Sequence, residues 1–231
     1  MNRPIRTALA AALFAAAAMS SAMAAETFRG RGNEPFWSVE LGADAIVFTP
    51  MDGAPVTVAP VPAARQDGNA TIYEGSAGGA PFVLTVADAV CADTMTGMPF
   101  PKTVTVKLGD AAYSGCGGEP AALLVGDWMI AAIDGKPPVT DSTPNLSFDA
   151  EGKLAGGGSC NRFFGGYTLS GEGLTISEMG SSMMACDEPL MAQEQAILGI
   201  LKGVARFEIG ADGTLILHDG EGRTLSARPV A

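Results

Sequence analysis

The sequence predicts an α+β fold, mainly antiparallel β, arranged as two small curved-sheet domains, the second with one packed α-helix. Three observations carry this. Short apolar–polar alternations punctuated by Gly, Pro and Asp recur along most of the 231 residues. Helical spacing occurs in one stretch, Pro189 to Val204. The pattern breaks at Cys116-Gly117-Gly118-Glu119-Pro120 and resumes with a fresh apolar segment at Leu123, which places a boundary near Pro120 between residues 25–119 and 122–231.

Residues 1–24 have the three parts of an export signal. These are a basic start at Arg3 and Arg6, an apolar run from Ala8 to Met19, and small residues at Ala22-Met23-Ala24. The run is mostly alanine and too short for a bilayer core that needs roughly 20 apolar residues, so cleavage after Ala24 is expected. No cysteine lies near the cleavage site to accept a lipid, and no later stretch is long and apolar enough to span. A periplasmic or secreted protein follows, with no membrane span in its mature chain. Cleavage removes two arginines and no acidic residue, taking the formal charge from −11 to −13. Such a surface repels nucleic acid and anionic lipid, and the scattered Lys and Arg form no basic stripe. A monomer is expected.

The first domain reads as short strands. Trp37 to Leu41 alternates, as do parts of Ala45 to Thr49, Pro81 to Val86 and Val104 to Leu108. Ala54 to Ala64 carries Pro55, Pro60 and Pro62, which cannot donate to a ladder and belong at an edge or in a loop. The second domain reads as a meander over Trp128 to Ile133, Asn145 to Phe148, Lys153 to Gly156, Tyr167 to Leu169, Leu174 to Ile176, Arg206 to Ile209 and Thr214 to Leu217. Acidic glycine turns separate them at 149–152, 170–173, 211–213 and 219–222. In the helix, Leu190, Ile197, Leu198, Leu201 and Val204 recur at helical spacing. Asp187, Glu188 and Pro189 suit its start, and Gly203 its end. A helix covering the apolar face of a curved sheet satisfies both elements.

Cys91, Cys116, Cys160 and Cys186 form an even set in an exported chain, which argues for two disulfides and leaves three pairings open. Cys91 with Cys116 and Cys160 with Cys186 is favoured, because each pair then lies within one predicted domain. Catalytic thiols would need a CxxC pair or a His-activated Cys, and neither spacing exists.

The run Gly156-Gly157-Gly158-Ser159-Cys160-Asn161-Arg162-Phe163-Phe164-Gly165-Gly166-Tyr167, followed by Ser181-Ser182-Met183-Met184-Ala185-Cys186, resembles the META domain family, also called HslJ-like. Trp128 and Gly222 fall where that family has them, and the resemblance covers roughly Ala122 to Arg228. Ser159 stands where the family usually has Gly. The first half, with Gly32-Asn33-Glu34-Pro35-Phe36-Trp37, Cys91 and Tyr113-Ser114-Gly115-Cys116, is similar to a family of exported bacterial proteins sometimes fused to META domains. The resemblance implies a compact α+β domain in a bacterial envelope, sometimes linked to heat shock or antibiotic tolerance, and supplies no catalytic residues.

Read physically, the glycines around Cys160 permit a strand, a tight corner and a return strand, which a disulfide would pin to the Cys186 loop. Asn161 and Arg162 at that corner are the candidate partner contacts, Arg162 the better of the two, because an Asn in such a turn most often satisfies local backbone groups. His218 is the only histidine, which rules out His clusters and a triad with spare parts. The Gly-rich run lacks the Lys-Ser/Thr of a phosphate loop, and the turn at 219–222 lacks the repeated oxygen ligands of a calcium loop. No cofactor, metal or catalytic residue is assigned.

A non-enzymatic envelope protein that binds or stabilises another exported component under stress is the leading expectation. A carboxylate hydrolase with a cleft between the domains is the first alternative. The second is an inhibitor whose Thr94 to Pro101 loop, stiffened by Pro99 and Pro101, enters a foreign active site. A minor one is Cu(I) held by thioethers from Met95, Met98, Met179, Met183 and Met184.

Overall fold

The computed structural model describes residues 27–230; the signal segment read from residues 1–24 lies outside them. The first half contributes β1 (Phe28–Asn33), β2 (Phe36–Leu41), β3 (Ile46–Pro50), β4 (Val56–Val58), β5 (Arg65–Asp67), β6 (Ala70–Ala77), β7 (Ala80–Ala87), β8 (Cys91–Ala92), β9 (Pro99–Phe100), β10 (Lys102–Leu108) and β11 (Ala111–Gly117). A 3-10 turn at Pro120–Leu123 leads to β12 (Gly126–Ile133), β13 (Asn145–Phe148), β14 (Lys153–Gly157), β15 (Arg162–Ser170), β16 (Gly173–Ser181), α1 (Glu188–Gly203), β17 (Val204–Ile209), β18 (Leu215–Asp219) and β19 (Thr224–Pro229). The α+β, mainly antiparallel class is what the residue pattern predicts.

Nine strands form the first sheet in the order β4-β3-β2-β1-β11-β10-β7-β6-β5, and eight form the second in the order β16-β15-β14-β13-β12-β19-β18-β17. Both curl. In the first, a Cβ added at Gly75 of β6 would lie 2.8 Å from Val58 of β4, so the Pro-flanked edge strand folds back over the sheet. In the second, a Cβ added at Gly173 would meet the Ala205 carbonyl at 2.0 Å, which brings β16 round to β17. Curling shields edges that would otherwise invite further pairing.

Two apolar clusters result. Trp37, Val39, Phe48, Phe82, Leu84, Val104 and Val106 fill the first sheet. The second gathers Trp128, Leu146, Phe148, Phe163 and Phe207 with Ile197, Ile200 and Leu201 of α1. That helix passes directly into β17 at Val204. Gly203 keeps negative φ, so the helix ends there without a left-handed cap.

The second cluster also contains Met98, Phe100 and Cys116 from the first half. The segment expected to be a free, proline-stiffened loop is therefore a wedge: Met98, Pro99 and Phe100 are all buried, and only Thr94 to Gly97 are exposed. The Asn-Glu-Pro-Phe-Trp motif explains how it is held. Asn33 donates to the Asp93 carboxylate at 3.0 Å and to Thr94 at 3.1 Å, while Trp37 Nε1 donates to the Ser114 carbonyl at 3.3 Å. Asp93 Oδ1 also accepts from the Met95 and Thr96 amides and the Thr96 hydroxyl.

Burial pushes the Asp93 carboxyl up, but the donors from Asn33, Thr96 and Met95 outweigh it and hold the group below the usual carboxylate range. A depressed pKa gives stability that is present above the unfolded value, about 3.9, and lost as pH falls through the lower folded one. Acid titration of unfolding below about pH 4 should show a shallower slope in Asp93→Asn than in the parent.

Candidate functional site

A cleft of about 540 Å³ opens between the outer face of the first sheet and one end of the second. Strand alternation builds its first wall. On β1 and β2, Gly30, Gly32, Trp37 and Val39 face the core, which sends Arg29, Arg31, Ser38 and Glu40 outward, with Arg29 opposite Glu40 and Arg31 opposite Ser38. Arg29 and Glu40 pair at 3.2 Å, both largely exposed. The wedge residues Met98 and Phe100 line the cleft as well, and the opposite wall comes from Ala150, Gly152, Tyr167, Leu169 and Ser170.

Two strand pairings joined by one disulfide place Arg31 over this apolar floor. Arg31 is in register with Cys116, Cys116 is bonded to Cys91, and Cys91 pairs with Phe100. The Arg31 guanidinium consequently stands 4.9 Å from the Phe100 ring centroid, a cation–π geometry. Across the cleft, Tyr167 packs edge-on against Phe148 at 5.2 Å and donates its hydroxyl to the Asp149 carbonyl at 2.6 Å. Burial, with the Asp149 and Glu151 carboxylates, raises the Tyr167 phenol above its ordinary value, so it stays a neutral donor.

The glycine-rich corner is organised differently. Cys160 is bonded to Cys186, and the Gly158 amide closes the turn on the Asn161 carbonyl at 2.9 Å. Asn161 is only 4% exposed. Its amide N–H and Nδ2 donate to the two Glu194 carboxyl oxygens at 2.6 and 2.9 Å, and Nδ2 also reaches the Met184 carbonyl. Its Oδ1 accepts from Ser182 Oγ and the Met184 amide, both at 2.7 Å. Of the two roles expected for Asn161, the structure shows local satisfaction: every polar atom of its side chain is engaged inside the corner. Arg162, one position on, faces solvent by strand alternation.

Similarity to known proteins follows the same division. Residues 121–230 match the META domain family. Two solved structures are similar to this chain. One, an NMR structure, is 27% identical over 48% of this chain and 95% of its own, with a TM-score of 0.41. The other, an NMR structure from Burkholderia xenovorans, is 25% identical over 49% of this chain and 89% of its own, also with a TM-score of 0.41. No curated protein matches the chain.

In the second half of the chain, the corner depends on two polar residues of α1 that the helical pattern passes over. Glu194 precedes Ile197 by three residues and Leu201 by seven, so it lies on the buried face, and Gln193 is buried beside it. Gln193 accepts from the Val139 amide at 2.6 Å and donates to Ser142 and Ser159 hydroxyls. A polar residue at a core-facing helical position was the available signal. Ser159 has φ +97°, a region that favours glycine, and its hydroxyl accepts from Gln193 at 2.6 Å. Ser159→Ala keeps the backbone strain and leaves Gln193 short of an acceptor, so thermal melting should show a loss of about 1 kcal/mol. Ser159→Gly relieves the strain while losing the same bond and should sit closer to the parent.

The remaining candidates are scattered or internally engaged. Asp219 is buried and accepts from the Glu221 and Arg223 amides and, at 2.7 Å, from Arg223 Nε, which makes its turn self-contained. His218 is not the satisfied surface histidine its position suggests. Its ring is mostly covered, Arg206 approaches Nδ1 at 3.2 Å, and Nε2 lies 3.3 Å from Glu208 without hydrogen-bond geometry. Among the thioethers proposed for copper, Met98 is in the core whereas Met95 and Met183 are exposed. Among the described residues no group of three or more His, Cys, Asp or Glu side chains converges to hold a metal ion, and no helix is long and apolar enough to cross a membrane.

Proposed function

We propose that this is a non-enzymatic, soluble binding module of the bacterial envelope, acting on another exported component through the cleft between its halves. One observation carries the reading: the buried carboxylates Asp93, Glu194 and Asp219 are all engaged by internal donors, while the cleft offers one positioned cation, Arg31, over an apolar floor. A cleft of this size and mixed lining suits a small ligand or a short chain segment. The two carboxylates lining it, Glu40 and Glu119, face the hydrolase alternative with little support, since Glu40 is paired with Arg29. Purified protein screened against glycoside, ester and peptide substrates should show no turnover. Robust turnover abolished by Glu40→Gln or Glu119→Gln would overturn the reading.

The envelope assignment rests on the export signal expected at residues 1–24 and on the bonded pairs Cys91–Cys116 and Cys160–Cys186. Each closes a loop of about 25 residues, worth about 3 kcal/mol through the unfolded chain. Protein made without residues 1–24 in a reducing compartment should lose both crosslinks and melt well below the exported form. Thiol labelling that finds four free cysteines in native exported protein would sink this assignment.

A further inference from the structure

We propose that the ligand of the cleft is a monoanionic amphiphile, a small organic acid whose carboxylate pairs with Arg31 and whose apolar body lies along Phe100, Met98 and Leu169. This rests on the binding reading above and supplies its ligand class. Arg31 is the decisive group. Face-on contact with Phe100 holds its guanidinium in place, yet it makes no hydrogen bond or ion pair to any protein group among the described residues. A guanidinium held over a ring face, with its donors unpaired among the described residues, is placed to take the two oxygens of a carboxylate.

Arg29, two residues earlier on the same strand face, is already occupied by Glu40, so the cleft presents one open cation beside one neutralised pair. Glu40 and Glu119 in the lining disfavour a ligand of higher negative charge by like-charge repulsion. The floor sets the rest of the chemistry. Met98 and Phe100 are buried side chains whose exposed edges face the cleft, and Leu169 and Tyr167 close it from the second sheet. A volume of about 540 Å³ accepts an acyl chain of medium length or an aryl acid. The acidic surface elsewhere repels the same ligand, so binding is confined to this position.

The test is calorimetric titration of the purified, disulfide-intact protein with decanoate and 4-phenylbutyrate below micelle-forming concentrations, against decanol and decylamine. Both acids should bind, the amine should not, and added salt should weaken the acids. Arg31→Gln should weaken decanoate by about tenfold, the equivalent of one charge-assisted pair, while Arg31→Lys weakens it less. Melting temperatures check that the variants are folded, and amide shifts on titration should cluster at Arg31, Phe100 and Tyr167. Equal binding of the amine or alcohol, unchanged affinity in folded Arg31→Gln, or shifts elsewhere on the surface would overturn the acid assignment. Absence of acid binding without any turnover removes this ligand class alone, whereas turnover in the substrate screen removes the binding reading itself.

Discussion

Asn161→Ala should lower the unfolding free energy by about 3 kcal/mol, since the buried Glu194 carboxylate would lose a donor and the Asn161 side chain its part-buried bonds to the Cys186 loop. Glu194 Oε1, which is buried, loses the Asn161 Nδ2 donor, and the Met184 amide, on the exposed Cys186 loop, loses its acceptor. Alanine leaves a gap lined by polar atoms, which is worse than replacing both partners with apolar groups. Asn161→Asp should be no milder at neutral pH, because it sets a second carboxyl against Glu194 in place of a donor. The neighbouring Arg162→Ala, at an exposed position, should stay within about 0.5 kcal/mol of the parent. Urea unfolding of the three variants measures the contrast. If Asn161→Ala behaves like Arg162→Ala, the corner is not held by this network.

How much of this could be read from the residues depends on whether burial is local. Asn145–Phe148 was legible to the residue, because its alternation lies between clear turn signals, and the helix expected at Pro189 to Val204 runs from Glu188 to Gly203. The cysteine pairing was legible because each pair, with similar separations of 25 and 26 residues, falls on one side of the boundary near Pro120. By contrast, β1 and β11 carry glycine where a strand usually shows a side chain, so periodicity gives them no apolar face. The wedge misled for the opposite reason. Pro99 and Pro101 signal a short irregular segment, yet Pro99–Phe100 pairs as β9, and what buries Met98 and Phe100 is the second half of the chain, more than twenty residues away. The cleft inherits both difficulties, since Arg31 lies on a glycine strand and Phe100 on the wedge. Neither residue carries a local mark of the other.

Gly115→Ala tests that link between strand packing and the cleft, and its expected effect is comparably large. A Cβ on Gly115 would stand 2.0 Å from the Arg31 carbonyl oxygen and 2.8 Å from the Gly32 Cα, both main-chain atoms with no rotamer to yield. Gly32 across the seam is equally confined, with a Cβ there falling 2.2 Å from Trp37 Nε1 and 2.6 Å from the Ser114 carbonyl. The two glycines let β1 and β11 approach closely enough for Trp37 to reach Ser114, so the strands must separate to admit one methyl. Overpacking of this kind costs about 3 kcal/mol or more when backbone has to move. The displacement also carries Arg31 off Phe100, because Arg31 and Cys116 share the strained register. Gly115→Ala should therefore lose stability and decanoate affinity together, whereas Gly78→Ala, in a turn with open space around it, should lose only the fraction set by its positive φ. Denaturant melts paired with calorimetry separate the two. Retention of full affinity in a folded Gly115→Ala variant would show that the strand seam does not position Arg31.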